Sequence, residues 1–121
     1  MDTLEKKHCL PCEGFGAPLN TEAVLEQLKN IHTEWQANSD NTLISKDFRF
    51  KNYYQTMAFV NAVAWMAHHE NHHPDLEVGY NHCLVNYSTH ALKGLSMNDF
   101  ICAAKVDEIF KPYMEKWHER K

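Results

Sequence analysis

From Asn52 to His69 the chain reads "NYYQTMAFVNAVAWMAHH", and between Met57 and Ala67 it is apolar on nearly every side at helical spacing. A helix with so little polar surface has to be covered on two sides, which calls for a sheet on one side and a second subunit on the other. Pro74 bounds this helix: its ring disfavours the α conformation at His73, so the helix is expected to end at or just before that residue.

The flanking segments supply the cover. Asn20 is placed to cap a first helix over 21–32, with Val24, Leu25, Leu28 and Ile31 on one face. A β-hairpin follows. Trp35 opens a short strand, "NSDN" at 38–41 is a cluster of turn formers, and Ile44, Lys46, Phe48 and Phe50 alternate against Leu43, Ser45, Asp47 and Arg49. After the long helix comes a short strand at 77–80. Residues 82–90 then alternate, with Cys83, Val85, Tyr87 and Thr89 on one face and His82, Leu84, Asn86, Ser88 and His90 on the other, so His90 is expected to end a strand. "SMND", Ser96 to Asp99, is a capping box opening a last helix that Pro112 should end or kink. The order α-β-β-α-β-β-α predicts a single α+β domain: a four-stranded, mostly antiparallel sheet with its helices packed on one face.

At 121 residues there is room for one core, and the domain is assigned to 20–121, with 1–19 a flexible segment containing Cys9 and Cys12. A net charge of −4 lacks the clustered cations that nucleic-acid binding requires. No apolar run reaches the roughly 18 residues that span a bilayer, and "MDTLEKKHCLPC" lacks the order of a signal peptide, so the expected place is the cytoplasm, without a membrane partner. Four cysteines in such a chain are expected as thiols, and the single Cys9-x-x-Cys12 pair lacks the second pair of a structural zinc site.

Four of the nine histidines fall between His68 and His73. Three chemistries compete for them. His69-Glu70-x-x-His73 is literally the H-E-x-x-H of zinc hydrolases, in which two histidines one helical turn apart hold the metal and the glutamate acts as base. Pro74 disturbs the helix where the second ligand would need it, and the expected metal set is none. A solvated helix C-terminus, where the macrodipole favours imidazolium, is the plainer reading. General acid/base catalysis is the third, since paired imidazoles can give and take protons near neutral pH without metal, nucleophile or phosphate cradle.

His68-x3-His72-His73-Pro74, with Tyr80 six residues after the proline, His90 ten further on and Asp99 nine beyond that, resembles the signature of the pterin-4a-carbinolamine dehydratase family. Phe48-x-Phe50, Tyr80-Asn81, Ser88-Thr89-His90 and Gly94-Leu95-Ser96 fit the same frame, and the resemblance covers about residues 20–110. It implies a lyase that dehydrates 4a-hydroxytetrahydrobiopterin to quinonoid dihydropterin and water, recycling the cofactor of aromatic amino acid hydroxylases. It also implies His72, His73 and His90 as catalytic imidazoles, with His72 the main acid/base on the N5 and hydroxyl region and the other two acting on the opposite side. Asn71, Ser88, Thr89 and His68 are the implied substrate-binding positions; the pterin is the substrate, so no cofactor is expected. A homodimer or homotetramer and a functional link to a hydroxylase follow from the same resemblance. Asp99, at the N3 position of the capping box, is read as holding the last helix. The chain departs from animal members, which have an acid at the position of His68, Asp at Asn71, Trp at Leu76 and Glu at Ala91. Loss of carboxylates beside the imidazoles would shift the pH profile downward. An interaction module of the coactivator type is the alternative function.

Overall fold

The computed structural model describes residues 3–10 and 17–119, and the N-terminal Cys12 lies outside them. Three helices and four strands follow in the order α1 (Thr21–Leu28), β1 (Gln36–Ala37), β2 (Ile44–Arg49), α2 (Tyr53–Glu70), β3 (Asp75–Val78), β4 (His82–Tyr87) and α3 (Met97–Glu119). This is the expected α+β order. The strands form one sheet, β1-β2-β4-β3, in which every pairing is antiparallel.

Local chemistry explains most of the boundaries. The Asn20 side chain accepts a hydrogen bond from the Ala23 N–H at 2.8 Å, and Asn52 does the same for Gln55 at 3.0 Å, so α1 and α2 begin where an asparagine satisfies a bare donor. After Leu28 the chain continues in turns to the buried Ile31. Along β2 and β4 the side chains alternate, and the register sets Ile44 opposite Tyr87 and Phe48 opposite Cys83. Ile44, Phe48, Cys83, Val85 and Tyr87 therefore share the buried face, under Phe59, Val63 and Met66 of α2 and Phe100 and Val106 of α3. Phe48, Phe50, Phe59 and Phe110 meet with ring centroids 4.8–6.1 Å apart.

Several boundaries differ from the sequence expectation. Trp35 lies just before β1 and is buried, and β3 begins at Asp75 directly after the proline. β4 ends at Tyr87, not at residue 90. Thr89 makes an isolated bridge with Gly94, and His90 starts a 3₁₀ turn, His90–Leu92, because the chain must reverse before α3. α3 carries Pro112 within it and does not end there. Helix α2 stops at Glu70, three residues short of His73. Asn71 adopts φ 52°, ψ 39°, the His72 N–H reaches the Ala67 carbonyl at 3.1 Å, and the Asn71 N–H reaches the His68 carbonyl at 3.2 Å. That is a Schellman ending, and asparagine tolerates its left-handed residue better than most side chains. The asparagine, not the proline, stops the helix.

Residues 3–10, assigned by sequence to a flexible segment outside the domain, pack onto it. Leu4 is buried in the core, and Lys105 Nζ donates to the Glu5 carbonyl at 2.8 Å. The reason is an apolar residue and a set of backbone groups that find partners on α2 and α3.

Candidate active site

The Schellman ending turns the chain so that His72 and His73 leave the end of α2 toward the start of α3. A cleft of about 320 Å³ opens there, and its walls include Asn71, His72, His73, Ser88, Thr89 and His90. Three of these come from the end of α2 and three from the segment after β4, so the fold brings together every sequence-assigned site residue except His68. His68 is exposed on α2 and is not among the residues lining the cleft. A larger groove of about 650 Å³ between α2 and α3, beside Trp65 and Met66, has no imidazole among its described lining residues.

His72 is the most constrained member. Its ring lies 5.4 Å from that of Tyr87 at 18°, and its Nε2 donates to Asp99 Oδ1 at 2.6 Å. That leaves Nδ1 as the ring nitrogen able to serve the cleft. Burial by itself would lower the His72 pKa; the hydrogen bond and charge of Asp99 outweigh it and hold the imidazole above its ordinary value of 6.5. Asp99, from another helix, thus supplies His72 with a carboxylate partner. His73 and His90 are exposed at the rim.

Asp99 is the residue whose role the sequence reading understated. It does cap α3: the Ser96 N–H donates to its Oδ2 at 2.9 Å. The same oxygen accepts from the Thr89 hydroxyl at 2.8 Å, and the Ser96 hydroxyl, 2.7 Å from Thr89 Oγ1, donates to it in turn. Asp99 is fully buried and uses both carboxylate oxygens. The capping box was legible because its partners lie three residues apart; the His72 contact spans 27 positions and left no local signal. Thr89, assigned to substrate binding, has its hydroxyl committed to Asp99. Asn71, likewise assigned, is the residue that ends α2.

Glu70 and His69 take up the zinc-like motif differently from a metal site. The helix on which H-E-x-x-H depends ends at Glu70, so His73 is not one helical turn beyond His69. His69 stacks on Trp65 with centroids 4.0 Å apart. Glu70 accepts from the Cys9 N–H at 2.7 Å and from His8 Nδ1 at 2.9 Å, with Lys105 Nζ at 3.8 Å. Burial pushes its pKa up, but these donors hold it below the usual carboxylate range. Among the described residues no three metal-ligating side chains converge, and no helix is long and apolar enough to cross a membrane.

The family model described as pterin 4 alpha carbinolamine dehydratase matches residues 17–109. A Legionella pneumophila (strain Corby) protein provisionally named as such a dehydratase is 58% identical over 106 residues, 88% of this chain and 94% of its own. One from Nitrosomonas eutropha, named in the same provisional way, is 61% identical over 104 residues, 86% and 90% of the two chains. The crystal structure of a transcriptional coactivator/pterin dehydratase from Brucella melitensis superposes with a TM-score of 0.72 at 27% identity, covering 76% of this chain and 97% of that one. A pterin dehydratase-like protein identified as a RuBisCO assembly factor in the alpha-carboxysome gives a TM-score of 0.56 at 25% identity, covering 64% and 90%.

Proposed function

Since the chain belongs to the pterin 4 alpha carbinolamine dehydratase family, we propose that its histidine cleft dehydrates 4a-hydroxytetrahydropterin to the quinonoid dihydropterin and water. The observation that carries this reading is His72, half-buried against Asp99 with one ring nitrogen left for the cleft, beside the exposed His73 and His90. The reaction breaks the C4a–O bond, forms the C4a–N5 double bond, and moves two protons, one onto the departing hydroxyl and one off N5. Asp99 favours the charged form of His72, which suits it to deliver the proton to the hydroxyl. His73, next to His72, and His90, from the segment after β4, both exposed at the rim of the cleft, are assigned the removal of the proton from N5. Each imidazole returns to its starting state by exchange with water, so no cofactor or metal is called for; the pterin is the substrate.

The test is the decay of freshly formed 4a-hydroxytetrahydropterin, followed by absorbance. His72→Ala is expected to lower kcat by about 10²–10⁴-fold, the range of one positioned acid or base. His73→Ala and His90→Ala should each lower it by a smaller factor. A wild-type rate no faster than the spontaneous one rules out the dehydratase; a silent His72→Ala rules out the role given to that residue.

The same reading places the protein in the cytoplasm, serving an aromatic amino acid hydroxylase, as a homodimer or homotetramer. Support for self-association comes from α2, where Tyr54 and Trp65 are exposed, 86% and 66% respectively, as expected of a helix needing cover on a second side. Light scattering of the purified chain should give a multiple of 14.1 kDa, and a monomer mass at micromolar concentration counts against assembly.

A further inference from the structure

Pockets that hold flat heterocycles are mostly apolar, with a few polar groups that set orientation. The histidine cleft has polar groups in abundance and few large apolar side chains. Among the described lining residues, Leu10 is the one large apolar side chain, and it is 74% exposed. An exposed leucine on a loose segment would mean little, but the backbone here is fixed. The Leu10 N–H donates to Asn98 Oδ1 at 3.0 Å, and Asn98 Nδ2 donates back to the Leu10 carbonyl at 2.6 Å. One residue earlier, the Cys9 N–H is held by Glu70, and Cys9 Sγ lies 3.4 Å from Cys102 Sγ. Asn98 and Glu70 are themselves well covered, so two side chains of low exposure pin the segment, and among the described residues the leucine side chain lines the cleft and stays largely exposed.

We infer that Leu10 is a substrate-contacting residue, supplying the apolar surface against which the ring of a reduced pterin packs in the histidine cleft, with Asn98 and Glu70 as the residues that position it. The inference rests on the dehydratase reading of the cleft. A side chain whose backbone is already ordered loses little freedom on binding, so its contact goes mainly into affinity. Leu10 touches neither the departing hydroxyl nor N5 in any step assigned to the imidazoles, and its effect should fall on binding alone.

The experiment compares wild type, Leu10→Ala and Leu10→Met for KM and kcat on 4a-hydroxytetrahydropterin, and for the Kd of unreactive 7,8-dihydrobiopterin by calorimetry. Leu10→Ala is expected to raise both KM and Kd by about tenfold, equivalent to about 1.4 kcal/mol, with kcat changed by less than about twofold. Leu10→Met, which keeps the apolar volume, should restore wild-type values. Unchanged KM and Kd in Leu10→Ala, or a fall in kcat alone, overturns the role of Leu10 while an active wild type leaves the dehydratase standing. A wild type that neither turns over the carbinolamine nor binds the dihydropterin removes the dehydratase reading, and the Leu10 contact fails with it.

Discussion

Replacing Asp99 with alanine is expected to destabilise the protein by about 3–5 kcal/mol and to depress dehydration as well, because one buried carboxylate serves the helix cap, the Thr89 hydroxyl and the His72 ring. Its removal leaves three buried or half-buried donors without their acceptor, and the cavity gives them nothing in exchange. Asp99→Asn separates the two roles. The amide keeps its oxygen for the Ser96 N–H and Thr89, so most of the stability should remain, but it then faces His72 with an NH2 donor in place of a charged oxygen. Catalysis should then fall by about 10²-fold or more, as when a carboxylate that orients a histidine becomes an amide.

The pH dependence gives an independent reading. The His72 pKa is raised in the folded protein, so the folded state binds that proton more tightly than the unfolded chain. The resulting stability is fully present below 6.5, the ordinary value, and is lost as the pH rises through the folded value. In Asp99→Asn the factors that raise the pKa weaken, burial dominates, and this component should shrink or change sign. Guanidinium unfolding at a series of pH values measures it. A wild-type stability that climbs through this window, with no difference in Asp99→Asn, would contradict the pairing.

Asp107→Ala should cost a comparable amount for a different reason. Lys46 is only 5% exposed although it points into the core face of β2, and its Nζ lies 2.9 Å from Asp107 Oδ1. Trp35 Nε1 donates to the same carboxylate at 3.0 and 3.1 Å, and the rings of Phe48 and Phe110 lie 4.6 and 5.9 Å from the ammonium. Without Asp107 the ammonium stays buried among aromatic rings with its charge uncompensated, and the expected loss is about 3–5 kcal/mol. The double variant Lys46→Met, Asp107→Leu should recover most of it, since well-packed apolar side chains of similar volume often replace a buried pair at little cost. Urea unfolding checks both; a loss below about 1 kcal/mol in Asp107→Ala would mean that water reaches Lys46. The cleft beside this pair shares no lining residue with the histidine cleft, so dehydration per folded molecule should be unchanged.

Lys46 shows how the alternation of β2 was legible while its meaning was not. The period of two assigned it to the core face along with Ile44 and Phe48, and it is there; what makes a lysine tolerable at that position is an aspartate 61 residues away. The histidine cluster followed the same pattern. The His72-His73-Pro74 run and the later His90 pointed to one cleft, and α2 and the segment after β4 do meet there. The strand expected to deliver His90 stops at Tyr87, because the bridge from Thr89 to Gly94 closes a turn that alternation alone cannot signal.

By itself the sequence determined the element order, the caps at Asn20 and Ser96, the buried faces of β2 and β4, and the imidazoles of the cleft. These depend on hydrogen bonds and hydrophobic periods that repeat within two to four residues. The tertiary structure alone decided that Asp99 raises the His72 pKa, that Glu70 and Asn98 anchor residues 9 and 10, and that Asp107 pairs with Lys46. Each of those contacts joins residues 27 to 88 positions apart. Their distances are fixed by how α2 and α3 pack on the sheet, and a short window of sequence holds no trace of that packing.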